Sequence, residues 1–421
     1  MAAQFFSSLA DNALLVAAIA LLMQQDAPSW LTPYLKFFFV VSYVALAPYV
    51  GAFADRFPKG HVMFIANTIK VGGCILMLWG LDPLFSYAVV GLGAAAYSPA
   101  KYGILTEYLP HRKLVVANGW IEGLTVASIL LGTVLGGVLI HVRVSGVLLH
   151  FDMPLIDTPI DTPAEAAIAV IMIVYTIAAF FNLKVPRTGV AMKPISPHPL
   201  ETFKDFARCI GHLWRDRLGQ ISLAVTTLFW GAGATLQFIV IEWARTALGF
   251  DLSKAAILQG ITAFGVAIGA VLASLWVALD KSVRVIPLGA AMGLVVIAMI
   301  YVREIWIAIV LMVLIGALAG FFVVPMNALL QHRGHHLVGA GRSIAVQNFN
   351  ENSSILLMIA LYSLLLNVGH SIYFIILVFG LFVFTTMLLV QWWYVHNRRV
   401  HAAEIERLLA FARAEVPHTP R

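Results

Sequence analysis

Residues 51–60 read GAFADRFPKG, and residues 279–285 read LDKSVRV. Each holds an aspartate, a base, two further residues and a second base: Asp55, Arg56 and Lys59 in the first, Asp280, Lys281 and Arg284 in the second. Each also fills a short gap between two long apolar runs. The same charged phrase at corresponding places implies two related halves. The surroundings say what kind of chain carries them. It has 421 residues, 61% hydrophobic and 11% charged, with mean hydropathy +0.89. A soluble domain is about 45–50% apolar and about 25% charged. No soluble core could hide the excess, so the sequence describes an integral membrane protein.

A helix needs about 20 mostly apolar residues to cross the hydrocarbon core. Twelve runs qualify: roughly 3–24, 34–54, 61–80, 84–106, 117–140, 164–184, 219–241, 254–279, 285–302, 305–330, 343–366 and 371–395. They are too long and continuous for barrel strands. The fourth and tenth runs each carry a proline near the end, Pro99 and Pro325. The start, MAAQFFSSLADNALL, has no basic n-region or small-residue cleavage site, so it reads as the first span.

The formal net charge of +6 would suggest nucleic acid in a soluble protein. In a membrane protein it reflects basic cytoplasmic loops. Of the 27 Lys and Arg, twenty fall in one set of loops and five in the other, with Lys70 and Lys101 inside spans. That asymmetry puts both termini in the cytoplasm. The Pro-rich, basic segment 185–218 then separates two bundles of six spans, 1–184 and 219–397, and residues 398–421 form a cytoplasmic tail. Within the linker, FKDFARCIGHLW has helical spacing and one apolar face, as a helix lying along a membrane would. The tail reads as a short amphipathic helix. The outer loop HVRVSGVLLHFDMPLIDTPIDTP, with three prolines, reads as an irregular cap. Cys74 and Cys209 form no disulfide framework.

An ionisable group at the centre of a span costs at least ~2.5–3.5 kcal/mol and usually marks a pathway. The candidates are Asp11, with Asn12 beside it, then Lys70, Lys101, Glu122 and Glu351. Glu351 sits among Asn348, Asn350, Asn352, Ser353 and Ser354, too many polar groups to face lipid. Gln237 and Glu242 are weaker candidates. Each has a plainer reading. Lys101 can snorkel to the headgroups. Asp11 can pair with Lys70 or Lys101 as a structural ion pair. Glu122 can bond nearby backbone. Pro99 frees a carbonyl beside Lys101, and Gly91, Gly93 and Gly103 let a neighbour approach closely.

Six plus six spans with GAFADRFPKG after the second resemble the major facilitator superfamily, although Pro58 replaces the usual glycine. AAAYSPAKYGILTE in span four, LADNALL in span one, LVVANGWIE opening span five and FADRFPKGHVMFIANTIK are similar to its bacterial lysophospholipid transporter family, LplT. The likeness covers nearly the whole chain and is strongest over 4–140. The resemblance implies two six-helix bundles with a cavity between them near the midplane. It implies gating or state-stabilising roles for Asp55, Arg56, Lys59, Asp280, Lys281 and Arg284. It also implies transfer of lysophosphatidylethanolamine and lysophosphatidylglycerol from the outer to the inner leaflet of the inner membrane. There an acyl-acyl-carrier-protein synthetase/acyltransferase restores the missing chain. The substrate-facing positions would be Asp11, Asn12, Lys70, Lys101, Glu122 and Glu351. A lysine suits the phosphate, and Asp11 with Asn12 suits an ammonium or hydroxyl.

The competing reading is a proton-coupled exporter of small drugs or metabolites, using Asp11, Glu122 and Glu351 as proton carriers. No catalytic constellation and no cofactor are expected, and without a phosphate-binding glycine loop ATP drive is not expected either. QHRGHH at 331–336 can bind a metal but reads as a solvated cytoplasmic turn, so no metal site is expected.

Overall fold

The structure is a computed structural model that describes residues 1–27, 31–149, 160–192, 198–250 and 252–413, with backbone alone for Thr32, Pro33, Leu252, Ser253 and Ala256. Among the described residues there is no strand. Among the described residues, twelve helices follow the twelve apolar runs. They are α1 (Ala2–Gln24), α2 (Thr32–Arg56), α3 (Lys59–Leu78), α4 (Pro83–Tyr108), α5 (Leu114–Ile140), α7 (Pro163–Leu183), α9 (Gly219–Leu248), α10 (Leu252–Trp276), α11 (Ile286–Ala298), α12 (Ile305–Leu337), α13 (Ala340–Asn367) and α14 (Ile372–Val400). Three short ones lie between or after them: α6 (Val142–Leu149), α8 (Pro199–Arg215) and α15 (Ala402–Arg413). Helix α11 is short, and 3-10 turns at Leu279–Val285 and Met299–Tyr301 extend it at both ends. Eleven of the twelve are both long and apolar enough to cross a membrane. Helix α4 has the length, but Gly, Ser, Tyr and Pro dilute its hydropathy.

Several helix limits differ from the sequence reading. Helix α4 passes through Pro99 to Tyr108, close to the expected 106, but α12 passes through Pro325 and runs beyond the expected 330 to Leu337. A proline inside a membrane helix is tolerated where neighbouring groups satisfy the freed carbonyl. The outer loop is not irregular throughout, since Val142–Leu149 is helical; residues 150–159 lie outside the described residues. A Thr162/Glu165 capping box starts α7. In the linker, α8 buries Thr202, Phe206, Cys209 and Leu213 along one side. Residues 193–197 of the linker and 414–421 of the tail lie outside the described residues.

Residues 1–104 and 127–206 form one compact unit, and residues 105–126 and 207–421 form another. In the first, α1 presents Ala10, Ala13, Ala17 and Ala18, all fully buried, to a core with Leu14, Ile168, Ile171 and Tyr175. Small residues allow helices to approach closely where lipid offers no hydrophobic driving force between them. A Cβ on Gly136 would sit 2.8 Å from the Ala13 carbonyl oxygen, and one on Gly93 2.6 Å from that of Ala66.

In the second unit the closest seam joins α10 to α12. Gly265 and Gly269 of one face Gly316 and Gly320 of the other, each against bare backbone. Trp243, fully buried, donates from its indole nitrogen to the Met299 carbonyl at 2.9 Å. Away from these seams large apolar side chains are exposed, including Trp276, Tyr301, Trp306 and Trp392 near helix ends. Such residues suit lipid and its interface rather than water.

Candidate functional site

In the first unit the polar site grows from two helix faces. Ser7 and Asp11 lie four residues apart on α1, and Asn67 and Lys70 three apart on α3, so each pair shares one face. The Lys70 ammonium donates to both Asp11 carboxylate oxygens, at 2.7 and 2.9 Å, and to Ser7 Oγ at 3.1 Å. Ser7 donates to Asn67 Oδ1 at 2.7 Å. From α7, the Tyr175 hydroxyl donates to Asp11 Oδ1 at 2.7 Å. The ammonium also lies 5.1 Å from the Tyr97 ring centre and 5.4 Å from that of Tyr175, within cation–π range. The Lys70 side chain is 1% exposed, whereas Asp11 keeps 22%. The cation is therefore fully enclosed, and the carboxylate has one open edge.

The other N-terminal candidates lie apart from this pair. Asn12 donates to the Ser8 carbonyl of its own helix at 2.8 Å, and its Cβ faces Gly132 of α5. Lys101 is partly buried, its ammonium 4.2 Å from the Tyr102 ring centre.

Glu122 and Glu351 belong to the second unit, and both are buried. They are near enough to interact electrostatically, and Thr226, whose hydroxyl donates to the Leu223 carbonyl at 3.3 Å, lies close to Glu351. Gln347 donates to Glu351 Oε1 at 2.7 Å and to Asn327 Oδ1 at 3.0 Å. Asn118 and Gln331 exchange two 2.9 Å hydrogen bonds through their amides. The neighbouring asparagines behave differently: Asn350 and Asn352 donate back to α13 carbonyls. Ser354 packs against Gly231 of α9. Of the weaker candidates, Glu242 pairs with Arg245 near the end of α9, and the Gln237 carbonyl accepts from Gln259.

The two charged repeats make different contacts. Asp55 lies in the last turn of α2 and pairs with Lys59 at 3.2 Å. Lys59 also donates to the Ala54 carbonyl at 2.6 Å, a cation on the negative end of the helix. Arg56 between them is exposed. In the second half Asp280 instead accepts from Arg413 of the tail helix, at 2.8 and 3.1 Å. Lys281 and Arg284 line a cavity of about 700 Å³ with Arg398, Arg399 and Glu406.

Sequence reasoning missed several partners. Ser7 and Gln347 could have been found as helical neighbours of Asp11 and Glu351; Tyr175 carries no such signal. Arg333, counted among loop bases, is buried. It forms a two-pronged pair with Asp216, at 3.1 Å from Nε and 2.6 Å from Nη2. The segment 331–336 is likewise not a solvated turn. It forms the last turns of α12, and Gln331 to Gly334 are buried because the loop after α4 and the tail helix pack over it.

The comparisons agree with this architecture. The Major Facilitator Superfamily profile matches residues 1–358. Two solved structures share the fold at 13% identity. A bacterial homologue of the iron transporter ferroportin, in its outward-facing state, has a TM-score of 0.69, covering 94% of this chain and 97% of that one. The human organic anion transporter MFSD10 (TETRAN) has a TM-score of 0.67, covering 91% and 98%. In sequence, the lysophospholipid transporter LplT of Yersinia pestis (strain Pestoides F) is 44% identical over 370 residues, 88% of this chain and 86% of that protein. The LplT of Yersinia pseudotuberculosis serotype O:3 (strain YPIII) matches equally. The chain belongs to the LplT family of the major facilitator superfamily, a family of membrane transporters.

Proposed function

We propose that this protein carries lysophospholipids, such as lysophosphatidylethanolamine and lysophosphatidylglycerol, from the outer to the inner leaflet of a bacterial inner membrane. The supporting observation is the 44% identity to transporters named for lysophospholipids, spread over most of both chains. The polar groups suit such a substrate. A lysophospholipid presents a phosphate anion, a hydroxyl, one acyl tail and in some cases an ammonium. Lys101 meets the phosphate as a charge-assisted donor. Lys70 is committed to Asp11, so this pair holds α1 to α3 and offers the open carboxylate edge to the ammonium or hydroxyl. The headgroup crosses along these groups by alternating access while the tail stays in apolar surroundings. The two charged repeats hold the states of that cycle. Two six-helix bundles, 1–184 and 219–397, with linker 185–218, carry out the motion. Both termini are cytoplasmic, as the asymmetry of Lys and Arg favours. An acyl-acyl-carrier-protein synthetase/acyltransferase consumes the delivered lipid.

The test uses spheroplasts of a strain lacking its own transporter. Radiolabelled lysophosphatidylethanolamine is added outside and its conversion to diacyl lipid is followed. Expression of this chain should restore conversion. Failure to exceed the empty strain, where a Yersinia LplT succeeds, would overturn the reading.

A further inference from the structure

The transport reading leaves one cluster of side chains unused. His332 and His336 lie four residues apart on the last turns of α12, on one face. His111 opens the 3-10 turn His111–Lys113 after α4 and meets that face. One ring nitrogen from each of the three lies within 4.8 Å of the others. The ring centres are 4.5 Å apart for His111 and His332, 5.1 Å for His111 and His336, and 5.0 Å for His332 and His336. Three imidazoles around a tetrahedral ion with metal–nitrogen bonds of 2.0–2.1 Å put their ring centres about 5 Å apart. The rings already stand near that spacing.

A second observation points the same way. His332 is 1% exposed, and neither of its ring nitrogens has a hydrogen-bond partner. A buried polar group left unsatisfied costs about 1–3 kcal/mol. It persists in a native structure where a ligand, ion or water completes it. The adjacent charge does not oppose a cation strongly, because Arg333 is tied to Asp216 by two hydrogen bonds. His336 is exposed and His111 partly so, which gives an ion a way in. Phe411 of the tail helix lies over the cluster, 4.9 Å from the His336 ring centre and 5.7 Å from that of His332.

We propose that His111, His332 and His336 bind a divalent transition-metal ion of the imidazole-preferring kind, Zn²⁺ first. Three neutral imidazoles with a fourth position for water define such a site. A bound ion fastens the loop after α4 to the end of α12 beneath the tail helix. It is a site separate from the polar groups assigned to lipid.

The experiment uses the full chain in detergent micelles, purified without a polyhistidine tag and stripped with chelator. Co²⁺ is titrated while its visible ligand-field absorption is followed, and Zn²⁺ is then added in competition. The expected result is one ion per chain, four-coordinate absorption and displacement by Zn²⁺. His332→Ala and His336→Ala each weaken binding by at least about 100-fold, beyond the loss typical of removing an outer-shell partner. His335→Ala and His370→Ala leave it unchanged. Zn X-ray absorption on the wild-type chain is the check that needs no variant, and should show a nitrogen shell with scattering from three imidazoles. No saturable site in the wild type, fewer than two imidazoles on the ion, or equal binding by the His332 and His336 variants would overturn the proposal.

Discussion

Replacing Asp11 by Asn removes one charge and little volume from the N-terminal site. The structure sets the consequence. Lys70 is 1% exposed, and its closest partners are the two Asp11 oxygens at 2.7 and 2.9 Å. Ser7 and two aromatic rings remain, but none carries a negative charge. Breaking a buried pair by removing one partner costs about 3–5 kcal/mol, because the other charge stays behind uncompensated. Asp11→Asn is therefore expected to destabilise the protein by about that amount. Lys70→Met should cost less, since the surviving Asp11 keeps an open edge and the Tyr175 hydroxyl. The double variant should recover at least half of the Asp11→Asn loss, since replacing a whole buried pair is often near neutral. Reversible unfolding in mixed detergent micelles, arranged as a double-mutant cycle, measures all three. If Asp11→Asn unfolds within about 1 kcal/mol of wild type, the enclosure of Lys70 has been misread. The same variants divide structure from transport. A double variant that folds yet fails to carry lysophospholipid places Asp11 on the substrate path, and full transport would make the pair a strut only.

Three further outcomes follow from the geometry. Gly316→Leu should lower stability by more than the usual 1–3 kcal/mol of overpacking, because its Cβ meets the Thr262 carbonyl, which is backbone and cannot turn aside. Gly233→Ala, with nothing within 4 Å, should be harmless in the same unfolding assay. Arg333→Ala should cost about 3–5 kcal/mol by stranding Asp216 in a buried position, and joint replacement by Asp216→Asn and Arg333→Met should restore part of it. Lys101→Ala should reduce lysophospholipid uptake at least about 10-fold at equal membrane abundance, as expected for loss of a charge-assisted bond to phosphate. Lys101→Arg should retain part of the uptake, and an unchanged rate in Lys101→Ala would count against its role.

The spans were legible because lipid demands long apolar runs, and that demand is written residue by residue. Their ends were less so. Polarity near residues 331–336 looks like a loop, yet in the fold Gln331, His332 and Arg333 find partners or cover and remain helical. Pro99 and Pro325 lie inside their helices, as runs that continue past them imply. The ion pair was half legible: intramembrane charges announced Asp11 and Lys70, and the structure selects Lys70 rather than Lys101 as the partner. Tyr175 was invisible, because a tyrosine in an apolar run looks like any other aromatic. The histidine cluster was half legible, since QHRGHH was seen to be able to bind a metal, but the part of His111 was not. His111 and His332 are far apart in the chain, and only the packing of the loop after α4 against α12 brings them together. The two charged repeats were legible as a pair in sequence, but not their partners. Asp55 finds its base four residues on, and Asp280 finds its own in the tail helix.

The central claim is that this chain moves a lysophospholipid headgroup across a bilayer. The most direct measurement reconstitutes the purified protein in liposomes whose outer leaflet carries a fluorescent lysophosphatidylethanolamine. A membrane-impermeant quencher then reports the fraction still outside over time. The account predicts protein-dependent protection of the label, slowed at least about 10-fold by Lys101→Ala. It also predicts no protection of a fluorescent diacyl phosphatidylethanolamine. Protection no faster than in protein-free liposomes, or equal movement of both lipids, would contradict it.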